Sequence, residues 1–298
     1  MTNTPIPIAV IGGSGLYQME GLSDVEERRI STPFGDPSDA LIIGTLSGVR
    51  VAFLPRHGRG HRLTPTEVPY RANAYALKSL GVKRIIGVSA CGSLREHLHP
   101  GHVVIPNQLV DFTKKRDMTF FGRGLVAHIG IADPFCSQLS ELLADATEAA
   151  GGTVQAGWRF ITIEGPRFST RGESHLYRAW GLDIIGMTSS PEAFLAREAE
   201  MCYATMAHVT DFDVWHEEED PVTVEALIAT LMQNTALAQR VITSVVASLR
   251  QAQDSALAEA EPACECQDAL GAALITQRDL IPAEEIERLG PIVSRYLK

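Results

Sequence analysis

Short β-branched runs alternate along the chain with longer stretches of helical period, the pattern of a mixed or parallel sheet covered by helices. Strands are predicted near Ile6 to Ile11, Ala40 to Thr45, Arg50 to Leu54, Arg84 to Val88, Val103 to Pro106, Phe160 to Ile163, Asp183 to Met187 and Tyr203 to Thr210. Helices fit the gaps: Pro69 to Leu80 stops at Gly81, Pro134 to Ala150 stops at Gly151, and Pro191 to Met201 opens with proline. The longest helix is predicted over Val224 to Leu249, where Val224, Leu227, Ile228, Leu231, Val241, Ile242, Val245 and Leu249 form an apolar stripe suited to core packing. After an Ala/Glu-rich stretch from Gln251 to Cys266, the chain turns apolar again over Asp268 to Ile275. The expected architecture is α/β, a central mixed sheet flanked by helices in a single domain. Its body covers about 6–250 and its tail, about 251–298, packs back on that body.

Composition narrows the class. With 298 residues, 45% of them hydrophobic, the chain can bury a large core. Its formal charge of −10, with Glu217-Glu218-Glu219-Asp220 as the densest run, leaves no basic stripe to follow a nucleic-acid backbone. No segment approaches bilayer-spanning length and Met1 to Pro5 lacks a signal-peptide start, so a cytoplasmic protein without a membrane partner is expected. Five cysteines, Cys91, Cys136, Cys202, Cys264 and Cys266, are too sparse for a disulfide framework. Cys264-Glu265-Cys266 has a gap narrower than zinc knuckles use and no second pair nearby in sequence, so no metal is expected.

Several predicted strand ends carry chemistry. In Ile8 to Leu16, a strand runs into Gly12-Gly13-Ser14-Gly15, where amides and a hydroxyl can meet an anion, or where the glycines only make a tight turn. The stretch is neither a dinucleotide fingerprint nor a P-loop: Gln18 holds the third glycine position and no lysine follows. Leu54 to Arg62 offers Arg56-His57 and His61 among glycines; an arginine fork matches two phosphate oxygens, although a basic surface turn reads the same way. Ser89, in Val88 to Glu96, adds a hydroxyl. Together these segments suit an oxyanion cradle at the ends of adjacent strands. Phe168, after Gly165-Pro166, is placed either for the core or to stack on a flat ring. Met187-Thr188 pairs a soft thioether, able to lie on a sugar, with an anion donor. Asp211 and Asp213 end the last strand beside Trp215.

Taken jointly and in order, Gly12-Gly13-Ser14-Gly15, Pro55-Arg56-His57-Gly58, Tyr70-Arg71-Ala72-Asn73, Ala90-Cys91-Gly92-Ser93-Leu94, Glu164-Gly165-Pro166-Arg167-Phe168, Met187-Thr188 and Thr210-Asp211-Phe212-Asp213 closely resemble the methylthioadenosine phosphorylase branch of the trimeric purine nucleoside phosphorylase family. The resemblance implies a partly barrel-like sheet and a pentosyltransferase that splits 5'-methylthioadenosine reversibly with inorganic phosphate, a co-substrate, and without a cofactor. It implies phosphate held by Ser14, Arg56, His57, Ser89, Thr188 and the Ala90 amide, ribose against Met187, and base beside Phe168 and Ser169. It also implies a 5' pocket of His61, Val224 and Leu227, with His128 arriving from a neighbouring subunit of a trimer or a dimer of trimers. Asp211 and Asp213 then face the N6 and N7 edge of the purine, Asp211 as the acid at N7 and Asp213 at N6 or supporting Asp211. The 6-oxopurine branch has asparagine in this place. A carboxylate accepts from an amino group and repels a keto oxygen, and an unpaired buried acceptor costs about 1–3 kcal/mol, so the acid pair means adenine.

A broader purine nucleoside phosphorylase acting on adenosine, 5'-deoxyadenosine or inosine is the nearest alternative. A hydrolytic nucleosidase would have no use for the anion cradle, and a non-catalytic purine sensor would have lost it. The tail looks like the extension of archaeal relatives that assemble as hexamers and form disulfides, which makes Cys136 with Cys202, and the tail pair, disulfide candidates; a reducing compartment opposes them.

Overall fold

A computed structural model describes residues 5–13, 15–216, 224–254 and 264–297, with side chains everywhere in these ranges except 224–233 and 252–254. Among the described residues, the strands are β1 (Ile8–Gly12), β2 (Ser23–Arg28), β3 (Leu41–Leu46), β4 (Val49–Pro55), β5 (Arg84–Ser93), β6 (Val103–Phe112), β7 (Val154–Ile163), β8 (Ile184–Gly186) and β9 (Cys202–Asp211). The helices are α1 (Tyr70–Ser79), α2 (Ser137–Ala149), α3 (Arg171–Ala179), α4 (Ser189–Glu198), α5 (Val224–Asp254) and α6 (Ala283–Leu289). One sheet runs β2-β3-β4-β1-β5-β8-β7-β6-β9, and β9 returns to pair with β5. The half from β5 to β9 therefore closes into a small barrel, while β2, β3, β4 and β1 extend from it as an open sheet. No helix among the described residues is long and apolar enough to cross a membrane.

Burial explains why the central strands read clearly. Every residue of β1 is buried, as are the first eight of β9, so both run as continuous apolar segments covered on both faces. One core cluster packs Val241, Ile242, Val245 and Leu249 of α5 against Val10, Val51 and Phe53. The tail does pack back: Leu270, Leu289, Ile292 and Val293 join a second cluster with Tyr75, Leu77 and Ile85. It also reaches the 126–128 segment, where Ala127 bridges Leu274 and the His128 amide donates to the Ala273 carbonyl at 2.9 Å.

Three differences from the predicted elements have physical causes. Strand β2, Ser-Asp-Val-Glu-Glu-Arg, lacks an apolar face and is almost wholly exposed; antiparallel pairing to β3 at the sheet edge makes it a strand. Strand β5 continues five residues beyond the predicted end, because Ser89 to Ser93 are enclosed by pairing with β9 and β8. Helix α3 went unpredicted despite a legible signal, the capping box Thr170-x-x-Glu173: the Glu173 amide donates to the Thr170 hydroxyl at 3.2 Å and the Thr170 amide to the Glu173 carboxylate at 2.8 Å.

The cysteines require a correction. Cys264-Glu265-Cys266 has no second pair beside it in sequence, but the fold brings Cys136, at the start of α2, and Cys202, at the start of β9, into contact with both. All five cysteines are free thiols, so neither candidate disulfide is formed.

Candidate active site

The acid pair sits where β9 is forced out of register. Cys91 aligns with Val209, but Gly92 aligns with Asp211, so Thr210 is the extra residue of a bulge that re-aims the strand end. The Thr210 hydroxyl donates to Asp211 Oδ2 at 2.7 Å and the Asp213 amide donates to Asp211 Oδ1 at 2.8 Å. Position 92 must be glycine, since a Cβ there would stand 2.9 Å from Asp211 Oδ1. Asp213 itself has a left-handed backbone, φ 52°, a strained conformation for a non-glycine residue. Trp215 anchors this turn: its indole nitrogen donates to the Ser93 carbonyl at 2.7 Å and Arg178 lies 3.4 Å over its ring. The ring beside the two aspartates is thus a structural pin.

The two carboxyls differ. Burial pushes Asp213 above the ordinary aspartate range; the Ser174 hydroxyl and Val214 amide oppose this, and the nearby Asp211 charge adds to it. Asp213 Oδ2 is sealed from solvent without a partner in hydrogen-bonding geometry, whereas Asp211 receives the two donors just described.

Arg56 follows β4, whose register sets Pro55 beside Gly12 of β1, and the Arg56 amide donates to the Gly12 carbonyl at 2.9 Å. Its side chain differs from the sequence expectation. The guanidinium is buried and gives its fork to Glu192, with Nε to Oε1 at 2.5 Å and Nη2 to Oε2 at 3.0 Å; Nη1 donates to the Val88 carbonyl at 2.8 Å and Nη2 to the Ile11 carbonyl at 3.2 Å. The fork that was expected to grip two phosphate oxygens is taken by a carboxylate. Glu192 also accepts from Tyr203 Oη at 2.8 Å.

Ser89, the residue after Val88, has a buried hydroxyl with no partner among the described residues. Antiparallel pairing of Gly92 with Ile185 carries the β8 exit, Met187-Thr188, back past Ala90 and Ser89. Met187 packs under Gly165, where a Cβ would meet its sulfur at 2.5 Å, and Thr188 is buried. Ser169 is buried with an unpartnered hydroxyl, while Phe168 is 53% exposed and so does not belong to the core. His57 stacks on His61 at 4.3 Å and places Nδ1 2.9 Å from the Leu63 carbonyl. A carbonyl only accepts, so Nδ1 carries the proton and Nε2 is left as an acceptor.

Burial, helped by the Arg56 charge, lowers the His57 pKa to about 4. The unfolded state therefore takes up this proton first, and stability present above the ordinary histidine range, about 6.5, is lost as pH falls toward 4. The expected slope is about 1.4 kcal/mol per pH unit from this residue in that window. Urea titrations at several pH values should show His57→Gln with a shallower acid loss than the parent; parallel curves would refute the assignment.

Arg56, Ser89, Ala90, Met187, Thr188, Asp211 and Asp213 are thus brought together around β5. Ser14 and the side chains of Val224 and Leu227 lie outside the described residues. His128 belongs to the segment clipped to the tail. Two residues escaped the sequence reading. Glu192, in the Pro-started helix segment, clamps Arg56. Arg116, with a fully buried side chain, donates to the carbonyls of Met187 at 2.7 Å, Ser190 at 2.6 Å and Glu164 at 2.8 Å, so one guanidinium ties together the segments that follow β7 and β8. An arginine behind Lys114-Lys115 reads as surface charge.

A half-open sheet closing into a barrel, with an acid pair at the end of β9 beside β5, defines a class. The sequence profile of the phosphorylase superfamily matches residues 7–247, and the chain belongs to that family. Within it, the chain is 54% identical over 291 residues to S-methyl-5'-thioadenosine phosphorylase of Geobacter sulfurreducens, covering 97% of this chain and 99% of the relative. It is 55% identical over 290 residues to the enzyme of the same name from Chloroflexus aurantiacus, covering 97% and 98%. Among solved structures, a methylthioadenosine phosphorylase from an antarctic soil metagenomic library superposes with a TM-score of 0.90 at 50% identity, over 97% of this chain and 99% of that one. An adenosine/methylthioadenosine phosphorylase mutant from Schistosoma mansoni, in complex with adenine, gives 0.82 at 37% identity over 90% and 99%.

Proposed function

We propose that this chain catalyses the reversible phosphorolysis of 5'-methylthioadenosine to adenine and 5-methylthioribose 1-phosphate, a pentosyl transfer serving purine and methionine salvage in the cytoplasm. The carrying observation is the half-buried, unequal acid pair at the β9 bulge, together with the Ser89 and Ser169 hydroxyls, which have no partner among the described residues. Relatives about half identical over nearly their full length support the same substrate.

Phosphate attacks C1' from the face opposite the base, the ribose gains oxocarbenium character, and the purine accumulates negative charge that a proton at N7 relieves. Asp213 keeps its proton at higher pH than an ordinary aspartate, and with Asp211 it forms the unit that supplies N7 and accepts from N6. On the other side, Glu192 neutralises Arg56, so phosphate is held mainly by neutral donors: the hydroxyls of Ser14, Ser89 and Thr188 and the Ala90 amide. Neutral donors hold the anion without quenching its nucleophilicity as a bare cation would. Nε2 of His57 accepts the hydroxyl proton of hydrogen phosphate and orients it. Met187 covers the ribose, Phe168 and Ser169 border the base, and His61, Val224 and Leu227 with a neighbouring subunit's His128 form the 5' pocket of a trimer or dimer of trimers.

The test is release of adenine from methylthioadenosine with and without phosphate. Release is expected only with phosphate, with inosine cleaved at least about tenfold more slowly, the cost of setting a keto oxygen against a carboxylate. Phosphate-independent release would indicate a hydrolase. Inosine as the best substrate would overturn the adenine reading.

A further inference from the structure

We infer that Cys136, Cys202, Cys264 and Cys266 form a structural zinc site that clasps the C-terminal tail to the body of the protein. The four sulfurs are buried and all lie within 4.8 Å of one another, with Cys136 and Cys264 3.6 Å apart. A tetrahedral zinc with bonds of about 2.3 Å to sulfur sets ligand sulfurs about 3.8 Å apart, so the cluster needs only a small contraction to close on the ion. The bonded distance of a disulfide, about 2.05 Å, is far shorter than the Cys136–Cys264 separation. A redox-inert cation with a full set of four thiolates makes a closed site, as structural rather than catalytic zinc requires.

The surroundings suit a thiolate cluster. Cys136 stands at the N-cap position of the thirteen-residue helix α2, where the helix dipole favours an anionic sulfur. Taking up Zn²⁺ forms four zinc–sulfur bonds and sends the thiol protons to solvent. The frame is fixed from both sides: the Cys136 amide donates to the Tyr203 carbonyl at 2.8 Å, and the Gln267 amide to the Cys264 carbonyl at 2.8 Å. Beyond Cys266 the tail enters the core and bridges Ala127, so the clasp also steadies the segment that carries His128.

The experiment is elemental analysis of the full-length protein purified in reductant without chelator, followed by exchange of the metal for cobalt(II). About one zinc per chain is expected, surviving dialysis against EDTA and released by a mercurial thiol reagent. The cobalt form should show the intense visible bands and the thiolate-to-metal charge transfer of a tetrahedral tetrathiolate. Cys264→Ser and Cys266→Ser should lose at least nine-tenths of the zinc and speed amide hydrogen exchange at 126–128, while Cys91→Ser keeps its zinc. Less than a tenth of an equivalent of zinc in the wild-type protein, together with no cobalt bands, overturns the proposal. So does an intact mass showing two disulfides in protein purified with reductant. The wild-type measurement decides the matter even if a serine variant fails to fold.

Discussion

Asparagine in place of Asp211 is expected to lower turnover of methylthioadenosine by at least about tenfold, a loss of about 1.4 kcal/mol in transition-state stabilisation. Asp211 is wired as an acceptor by the Thr210 hydroxyl and the Asp213 amide, and an amide in its place keeps one acceptor and turns the other group into a donor. Where the new donor reaches position 6 of the purine, it suits an amino group badly and a 6-keto oxygen well, so the ratio of inosine to methylthioadenosine cleavage should rise. A second consequence concerns pH. Activity that needs the Asp213 proton is present below its pKa and lost as pH rises through it. Repulsion from Asp211 helps keep that pKa high, so deleting the charge should move the alkaline limb to lower pH. Steady-state kinetics on both substrates across pH would check this. Unchanged turnover would remove the acid pair from the mechanism.

Glu192→Ala is expected to destabilise the fold by about 3–5 kcal/mol, because it leaves the buried Arg56 guanidinium without its counter-charge. It also strips Tyr203 Oη of the carboxylate to which it donates. Glu192→Gln, which keeps an acceptor and the shape, should lose less stability. If Glu192 spares the nucleophile from a full positive charge, the glutamine variant should bind phosphate more tightly and turn over more slowly. Chemical denaturation measures the first effect, and the split between the phosphate KM and kcat measures the second. An alanine variant as stable as the parent would mean that the pair is not dry.

Legibility from sequence followed burial. Strands covered on both faces, such as β1 and β9, announce themselves as apolar runs, and α2 and α4 carry proline and glycine punctuation. The edge strand β2 carries no such pattern because its structure comes from a neighbour. Closure of the barrel could not be read from periodicity, since it depends on β5 pairing with β1 and then β8 along one edge and with β9 along the other. In the site, Asp211, Asp213, Ser89 and Met187-Thr188 were visible because each ends or follows a strand legible in the sequence, although β5 itself runs on through Ser89. Glu192 and Arg116 were not: a charged residue reads as solvated until its buried partner is known, and those partners are 136 and up to 74 residues away in sequence. The cysteines repeat the lesson, since sequence spacing said nothing of Cys136 and Cys202 arriving beside the tail.

Strand β5 is shared by the open sheet and the barrel, and β9 holds it from Arg84 to Gly92, so its Ser89 to Gly92 stretch is part of the frame where the two join. For the proposed reaction, nucleoside exchange is then expected past the segment bearing the exposed Phe168 rather than through this frame. Efforts to retune this protein toward bulkier leaving groups would do best to redraw that rim and leave the seam untouched.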